Sequence, residues 1–340
     1  MRKEKLLEAS GNIPVYLTDE ADMRYYSGFT GEGGVVISPE ETIVLTDGRY
    51  TFKAKEECEN VTVLNCLNHS QILKNYEKIY FQPNSLSFAR CSHLKSQGAN
   101  LIPLGLDFDT MRSEKDEYEL ECLRMAAAIG DKVFYKIIEE IKPGVAEKEI
   151  AAKIDYYIKA FGGEKVSFDT VCVSGVNSCM PHGVPTDKLI DNGDFVTMDF
   201  GCVFKGYCSD MTRTVAVGFV SDEMKKVYDL VLKAQESAQA EVRMGKKCCD
   251  IDAVARNIIA EGGYGENFAH SLGHGVGIKI HEKPNLSPKS AQILEKNNVV
   301  TVEPGIYIDG KFGVRIENTV IVGENSSESL QNATKELIIL

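Results

Sequence analysis

A chain of 340 residues with 43% hydrophobic content is long for one domain and has enough apolar side chains for the cores of two. Its formal net charge of −12, with no lysine or arginine run to offset it, excludes the basic surface that nucleic-acid binders present. The opening MRKEKLLEASGN puts no apolar stretch behind its basic residues, and nothing later approaches the roughly 18 consecutive apolar residues of a membrane span, so a soluble cytoplasmic protein is expected.

The first third alternates short apolar runs with amphipathic segments. IPVYLT (13–18), GGVVIS (33–38), TIVLTD (42–47), VTVLNC (61–66), KIYFQP (78–83) and ANLIPLG (99–105) read as strands, with helices at 50–58 and 87–97. The pattern predicts an α/β domain with a largely buried sheet over residues 1–112. From Asp116 a long helical periodicity runs until Pro143 and Gly144 stop it, and further helices are predicted at 147–161, 223–243 and 251–261. Between and after them lie glycine-punctuated, β-branched segments, so residues 113–340 read as an α+β domain with helices on an antiparallel sheet. The ten cysteines include no Cys-x-x-Cys pair. Several, such as Cys172 in TVCVSG and Cys202 in DFGCVF, sit in apolar runs, which suits reduced thiols acting as small hydrophobes.

The second domain contains a weak internal repeat. VTMDFG (196–201) resembles VTVEPG (300–305), and the return strands SDMTRTVAVG (209–218) and VRIENTVIVG (314–323) share their ending. Each half therefore offers a hairpin with one acid on each strand: Asp199 and Asp210 in one, Glu303 and Glu317 in the other. Any one pair could be edge-strand acids facing water. All four repeat the same placement, and four buried carboxylates on one face could not all stay ionised without cations, which two divalent metals would supply. His274 in HSLGHGVGIKIHE (270–282) adds an imidazole, and no histidine stands three places after Glu282, which excludes the helical zinc motif. The surrounding glycines suggest an extended strand whose backbone lies close to its neighbours, near enough for the chain to run beside the metals. One imidazole with four carboxylates is a hard, oxygen-rich set that suits manganese or cobalt, with zinc or iron as alternatives, in a two-metal site about 3.5–4 Å across.

These motifs, together with FDTVCVSGVNSCMPHGVPTD, VTVEPGIYI, GVRIEN and, near the start, MRYYSGFTGEGGVVIS and LTDGRY, resemble the two-domain pita-bread metallopeptidases, the Xaa-Pro aminopeptidases (aminopeptidase P) and prolidases. The resemblance spans essentially the whole chain. It implies a noncatalytic creatinase-like α/β domain at 1–112 and a pita-bread catalytic domain with a pseudo-twofold repeat at 113–340. It also implies metal ligands at Asp199, Asp210, His274, Glu303 and Glu317. Asp210 and Glu317 would bridge two ions, Asp199 would complete one site, and His274 with Glu303 the other. The ions would supply a hydroxide nucleophile near neutral pH without a serine or cysteine.

On this pattern Glu303 relays a proton to the leaving proline nitrogen, and His182 and His281 hydrogen-bond substrate oxygens and stabilise the tetrahedral intermediate. His270 lines the proline side of the substrate pocket, and Arg315 orients carboxylates from behind. The expected activity is that of an Xaa-Pro aminopeptidase acting on proline-containing peptides, with an Xaa-Pro dipeptidase (prolidase) as the alternative. A noncatalytic binding protein on the same fold is disfavoured by retention of all five ligand positions. Lys279 and Lys283 are candidates for holding a dipeptide carboxylate. A homodimer is expected from the resemblance, and His69 and His93 are expected to be structural or surface residues.

Overall fold

The structure, a computed structural model, describes residues 2–340 and divides into two compact units, Met1–Phe108 and Asp109–Leu340. In the first, all six predicted strands form: Val15–Leu17, Gly34–Ile37, Thr42–Thr46, Thr62–Asn65, Ile79–Phe81 and Leu101–Pro103. They make one mixed sheet, with the fourth, third, second, first, fifth and sixth strands lying side by side in that order. Helices Thr51–Glu57 and Phe88–Ser96 match expectation, whereas Arg2–Ala9, Glu20–Ser27 and Ser70–Leu73 were not foreseen. Ser70–Leu73 is a single turn, too short to display a helical period. Glu20–Ser27 carries a readable start signal, the Asp19 carboxylate accepting from Ala21 N at 3.0 Å and Asp22 N at 3.2 Å. His69 is structural: it is buried, and its Nδ1 lies 2.6 Å from the Tyr16 hydroxyl.

The second unit is built twice. Helices Glu117–Ile137 and Glu147–Ala160 precede the hairpin Phe195–Phe200 with Met211–Ala216, and helices Asp222–Glu241 and Cys248–Glu261 precede the pairing of Val299–Val302 with Asn318–Val322. The repeat is deeper than the strands alone suggest. Gly144 and Gly245 both adopt left-handed φ, near 87° and 83°, and donate to Ile190 O (2.9 Å) and Leu294 O (2.8 Å). Matching bridges, Ala146 to Leu189 and Lys247 to Ile293, follow directly after them. The first long helix opens with a capping box in which the side chains of Asp116 and Glu119 each accept the other's backbone N–H at 3.0 Å. It ends at Ile137, earlier than Pro143, because residues 138–140 turn instead of continuing the helix.

Strand alternation then decides which side chains meet the helices. Val196, Met198, Phe200, Met211 and Val215 pack with Ile129, Val133, Ile150 and Ile154. Val300, Val302, Val320 and Val322 pack with Val227, Val231, Ile251 and Ala255. The intervening positions, Thr197, Asp199, Thr212, Thr214, Thr301 and Thr319, fall on the opposite face. The two hairpins are stitched there by Glu317 N donating to Thr212 O (3.1 Å) and Thr319 Oγ1 donating to Asp210 O (2.9 Å). Among the described residues no helix is long and apolar enough to cross a membrane.

One buried ion cluster fixes the chain beside this face. Arg112 Nε and Lys115 Nζ donate to Glu282 Oε1 (3.1 Å) and Oε2 (3.0 Å), with all three side chains about 1% exposed. Gly277 is required here because a Cβ would lie 2.4 Å from Glu282 Oε2. Burial pushes the Glu282 carboxyl up, but Lys115 and Arg112 outweigh it and hold it below its ordinary value of 4.5. Its contribution to stability is therefore complete above that value and is lost as pH falls through the folded pKa. Glu282→Gln removes the anion of this buried cluster from Lys115 and from Arg112, which keeps its pairing with Asp109, so urea unfolding at neutral pH is expected to show a loss of about 3 kcal/mol that shrinks below pH 4.5. An unchanged urea midpoint at neutral pH overturns this account.

Candidate metal centre

Asp199, Asp210 and Glu317 each place a carboxylate oxygen so that the three atoms lie within 4.8 Å of one another. His274 Nε2 is 3.5 Å from both Asp210 Oδ2 and Glu303 Oε1. All five predicted ligand residues therefore share one face of the paired hairpins. Asp199 sits within its strand, Asp210 and Glu317 at the breaks just before theirs, and Glu303 just beyond Val299–Val302.

The electrostatics demand a counter-charge. Burial, followed by the charges of Glu317, Asp199 and Glu303, pushes the Asp210 carboxyl well above its usual range. Burial, then Glu303 and Asp199, does the same to Glu317. Burial drives Glu303 up to about 8, against the pull of Arg315. The imidazole of His274 is held neutral by burial, which lowers it to about 4. Its Nδ1 lies 3.0 Å from Gly275 O and can satisfy that acceptor only as N–H, so the lone pair of Nε2 points at carboxylates it cannot hydrogen-bond. Asp199 Oδ1 and Glu317 Oε1 are buried with no hydrogen-bond partner, two of only three such side-chain atoms found among the described residues. Orphaned anionic oxygens beside an imidazole lone pair are what divalent cations satisfy, so these residues fit a hard-metal site.

Each acid is steered by its other contacts. Arg315, buried, donates from Nη2 to Asp199 Oδ2 (2.7 Å), from Nε to Thr212 Oγ1 (3.0 Å), and from Nη1 to the Tyr307 hydroxyl (2.7 Å) and Pro181 O (3.2 Å). It therefore holds an acid of the opposite hairpin, while Glu317 on its own side is held by Thr212 Oγ1 at 2.7 Å. Thr301 Oγ1 donates to Glu303 Oε1 (3.2 Å) and accepts from His274 N (3.0 Å). Sequence reasoning missed Thr212, Thr301 and Tyr307. The threonines were findable, since each stands two places from a predicted ligand and so on the same strand face. Tyr307 carried no signal.

Three of the remaining histidines lie near this centre. The His281 ring lies edge-on to His274 with centroids 4.3 Å apart and is solvent-exposed on one side; partial burial lowers its pKa, against the pull of the Asp199 charge. His270 Nε2 is 3.0 Å from the Tyr307 hydroxyl and its Nδ1 is 2.8 Å from Ser271 O; burial lowers it to about 4. His182 lies exposed in the loop whose Pro181 carbonyl Arg315 holds. The glycines around His274 do form an extended strand, Gly273–Gly275, but what crowds them is neighbouring backbone. A Cβ on Gly273 would sit 2.0 Å from Thr301 O, and one on Gly275 2.4 Å from Lys283 O.

Comparison with known proteins fits this geometry. Residues 121–324 match metallopeptidase family M24, and residues 2–113 match the creatinase/prolidase N-terminal domain. The chain is 36% identical to the Xaa-Pro dipeptidase of Pyrococcus furiosus over 98% of this chain and 97% of that protein. The solved Xaa-Pro dipeptidase from Bacillus anthracis superposes with a TM-score of 0.95 at 39% identity, covering 100% of this chain and 98% of that one. The X-Pro aminopeptidase from Thermotoga maritima MSB8 gives a TM-score of 0.94 at 36% identity over 100% of both chains. This chain belongs to metallopeptidase family M24, and its α/β first domain and pita-bread second domain are those of a metal-dependent peptidase.

The raised Glu303 carboxyl gives a sign that can be measured. Without metal, the folded state binds this proton more tightly than the unfolded state, so its stabilising contribution is present below pH 4.5 and is lost as pH rises toward about 8. The melting temperature of chelator-treated protein is expected to fall across that interval, by roughly 2–4 °C for each kcal/mol lost. The fall should be shallower in Glu303→Gln, and saturating manganese should restore stability at the alkaline end. A flat profile shared by wild type and variant overturns this reading of the acid cluster.

Proposed function

We propose that the chain is an Xaa-Pro aminopeptidase, hydrolysing the bond between an N-terminal residue and proline. The observation that carries the reading is the cluster of Asp199, Asp210, His274, Glu303 and Glu317 with two orphaned carboxylate oxygens, ringed by three further imidazoles. In this reading residues 113–340 are the catalytic domain and 1–112 the noncatalytic one. Asp199, Asp210, His274, Glu303 and Glu317 would hold two divalent ions, with Asp210 and Glu317 shared between them, Asp199 serving one site, and His274 with Glu303 the other. The hard donor set favours manganese, with cobalt, zinc or iron as alternatives.

When bound, the cations supply an activated water and polarise the scissile carbonyl. Arg315 fixes Asp199 by one oxygen and so leaves Oδ1 directed into the cluster. Glu303 moves the proton that must reach the proline nitrogen as the bond breaks. His281 and His182, exposed beside the cluster, donate to substrate oxygens and stabilise the oxyanion. His270, aligned by Tyr307, lines the proline side. Proline presents no amide hydrogen, so a site that reads imidazole-to-oxygen contacts suits it better than one that reads a backbone donor there.

A cytoplasmic homodimer belongs to the same proposal, and the ten free thiols suit a reducing compartment. The names of the Pyrococcus furiosus and Bacillus anthracis relatives favour a second reading, an Xaa-Pro dipeptidase, while the Thermotoga maritima relative is named an aminopeptidase.

Cleavage of Ala-Pro and Ala-Pro-Ala by manganese-loaded protein decides between them. Release of alanine from the tripeptide supports the aminopeptidase, and cleavage of the dipeptide alone makes the protein a dipeptidase. If neither is cut while two ions remain bound, the proline specificity falls. His281→Ala is expected to lower kcat by about 100-fold with metal content unchanged.

A further inference from the structure

His182 rides on a segment, 174–186, that leaves the end of strand Val171–Ser174 and has no regular structure after it beyond the short 3-10 turn Gly175–Cys179. Beneath that segment lies Glu147, the first residue of helix Glu147–Ala160 and fully buried. Its Oε1 accepts from Ser174 N (2.6 Å), Ser174 Oγ (3.0 Å) and Asn177 Nδ2 (3.1 Å). Its Oε2 accepts from Asn177 Nδ2 (3.2 Å), Thr186 N (3.1 Å) and Thr186 Oγ1 (2.7 Å). One carboxylate thus ties the start, the middle and the end of the segment to a helix.

The segment is fastened on its other side as well. Ser178 Oγ accepts from Gly313 N at 2.8 Å, and Pro181 O accepts from Arg315 Nη1 at 3.2 Å. The second contact comes from the same guanidinium that holds Asp199. His182 and Val184, the latter 75% exposed, face solvent on either side of a buried Gly183. An acid at a helix start ordinarily faces water, where it interacts favourably with the helix dipole. Burying it entirely is costly and tolerated only when every lone pair is used. The adjacent Lys148 pairs with Asp187, and Lys188, whose carbonyl accepts from Glu147 N, is committed to Asp194 at 2.6 Å and to Ser174 Oγ at 2.9 Å, so the loop's own N–H and O–H groups do the compensating.

We propose that Glu147 is a positioning residue for His182, setting the height and direction of the loop from which that imidazole reaches the substrate. The inference rests on the reading of His182 as a substrate-binding group. Glu147→Gln keeps the volume but turns an NH2 toward the donors of either Ser174 or Thr186, so one end of the loop is released.

The test has two arms. In metal-free protein, amide hydrogen exchange over 174–186 should rise about tenfold in Glu147→Gln, while strand Phe195–Phe200 is unaffected. In manganese-loaded protein, Glu147→Gln should lower kcat/KM for Ala-Pro by about tenfold to a hundredfold, with metal content unchanged. In a His182→Ala background the same change should lose less than about twofold, because the two residues act as one unit. Unchanged exchange, or an equal loss in both backgrounds, overturns the proposal. If wild-type protein cleaves no Xaa-Pro peptide, the functional reading fails by itself and the exchange arm alone judges Glu147. Should Glu147→Gln not fold, Asn177→Ala removes the middle tie only and is held to the same comparisons.

Discussion

Four carboxylates meet on one face of the second unit, where burial strips away the water that would otherwise solvate them. Burial, reinforced by their mutual repulsion, raises three of the four toward their protonated forms, and burial holds the imidazole among them neutral. In a protein without a ligand for this face the arrangement would be a fault, since orphaned buried oxygens oppose folding. In a metallopeptidase it is stored affinity: the free energy withheld from the empty fold is returned when cations bind. The paired hairpins, the covering helices and the supporting polar side chains can all be understood as means of holding that unfavourable cluster in place.

The support follows one pattern. Arg315 takes Asp199 Oδ2 and leaves Oδ1 without a partner, and Thr212 takes Glu317 Oε2 and leaves Oε1 without one. Thr301 anchors Glu303 by one oxygen and His274 by its backbone, and the Gly275 carbonyl fixes the His274 tautomer. Every ligand candidate treated this way has one atom tethered and one presented. The tethers come mostly from neutral hydroxyls, which orient a carboxylate without neutralising the charge a metal needs. Arg315 is the exception, and it is placed against the acid that this reading assigns to a single ion.

How much of this could be read in the sequence depended on period. The strands and the long helices were legible because their apolar positions recur at two or at three to four residues, as in Val196, Met198 and Phe200 or Ile150 and Ile154. The four acids were legible for the same reason, because the repeat, with Glu317 offset by two places from Asp210, put one acid on each strand of two hairpins and on the same face. Short helices such as Ser70–Leu73 gave no period to detect. Tyr307 was invisible because its role arises from a hydroxyl lying between His270 and Arg315, a meeting of segments distant in sequence. The glycines around His274 were correctly taken as signs of close packing, yet only the fold could say that the crowding partners are Thr301 and Lys283.

The two halves of the repeat also show where symmetry was given up. Gly144 and Gly245 make the same turn into the second helix of each half, and three residues later stand Glu147 in one and Cys248 in the other, both fully buried. In the first half that position meets an irregular loop with several donors to satisfy, and a carboxylate is the side chain able to accept six hydrogen bonds from five of them. In the second half a thiol suffices, because Cys248 lies in an apolar core with Ile251, Leu286 and Leu294. The anchoring task there moves one helical turn along, to Asp252, which accepts from Leu272 N at 3.0 Å, and its partner Arg256, which donates to the carbonyls of Phe268 and His270. Both second helices thus brace a histidine-bearing segment, with different chemistry because one segment is a loop and the other leads into a strand. The shared hairpins supply metal-ligand candidates from both halves, and the divergent braces let each half present its histidines differently.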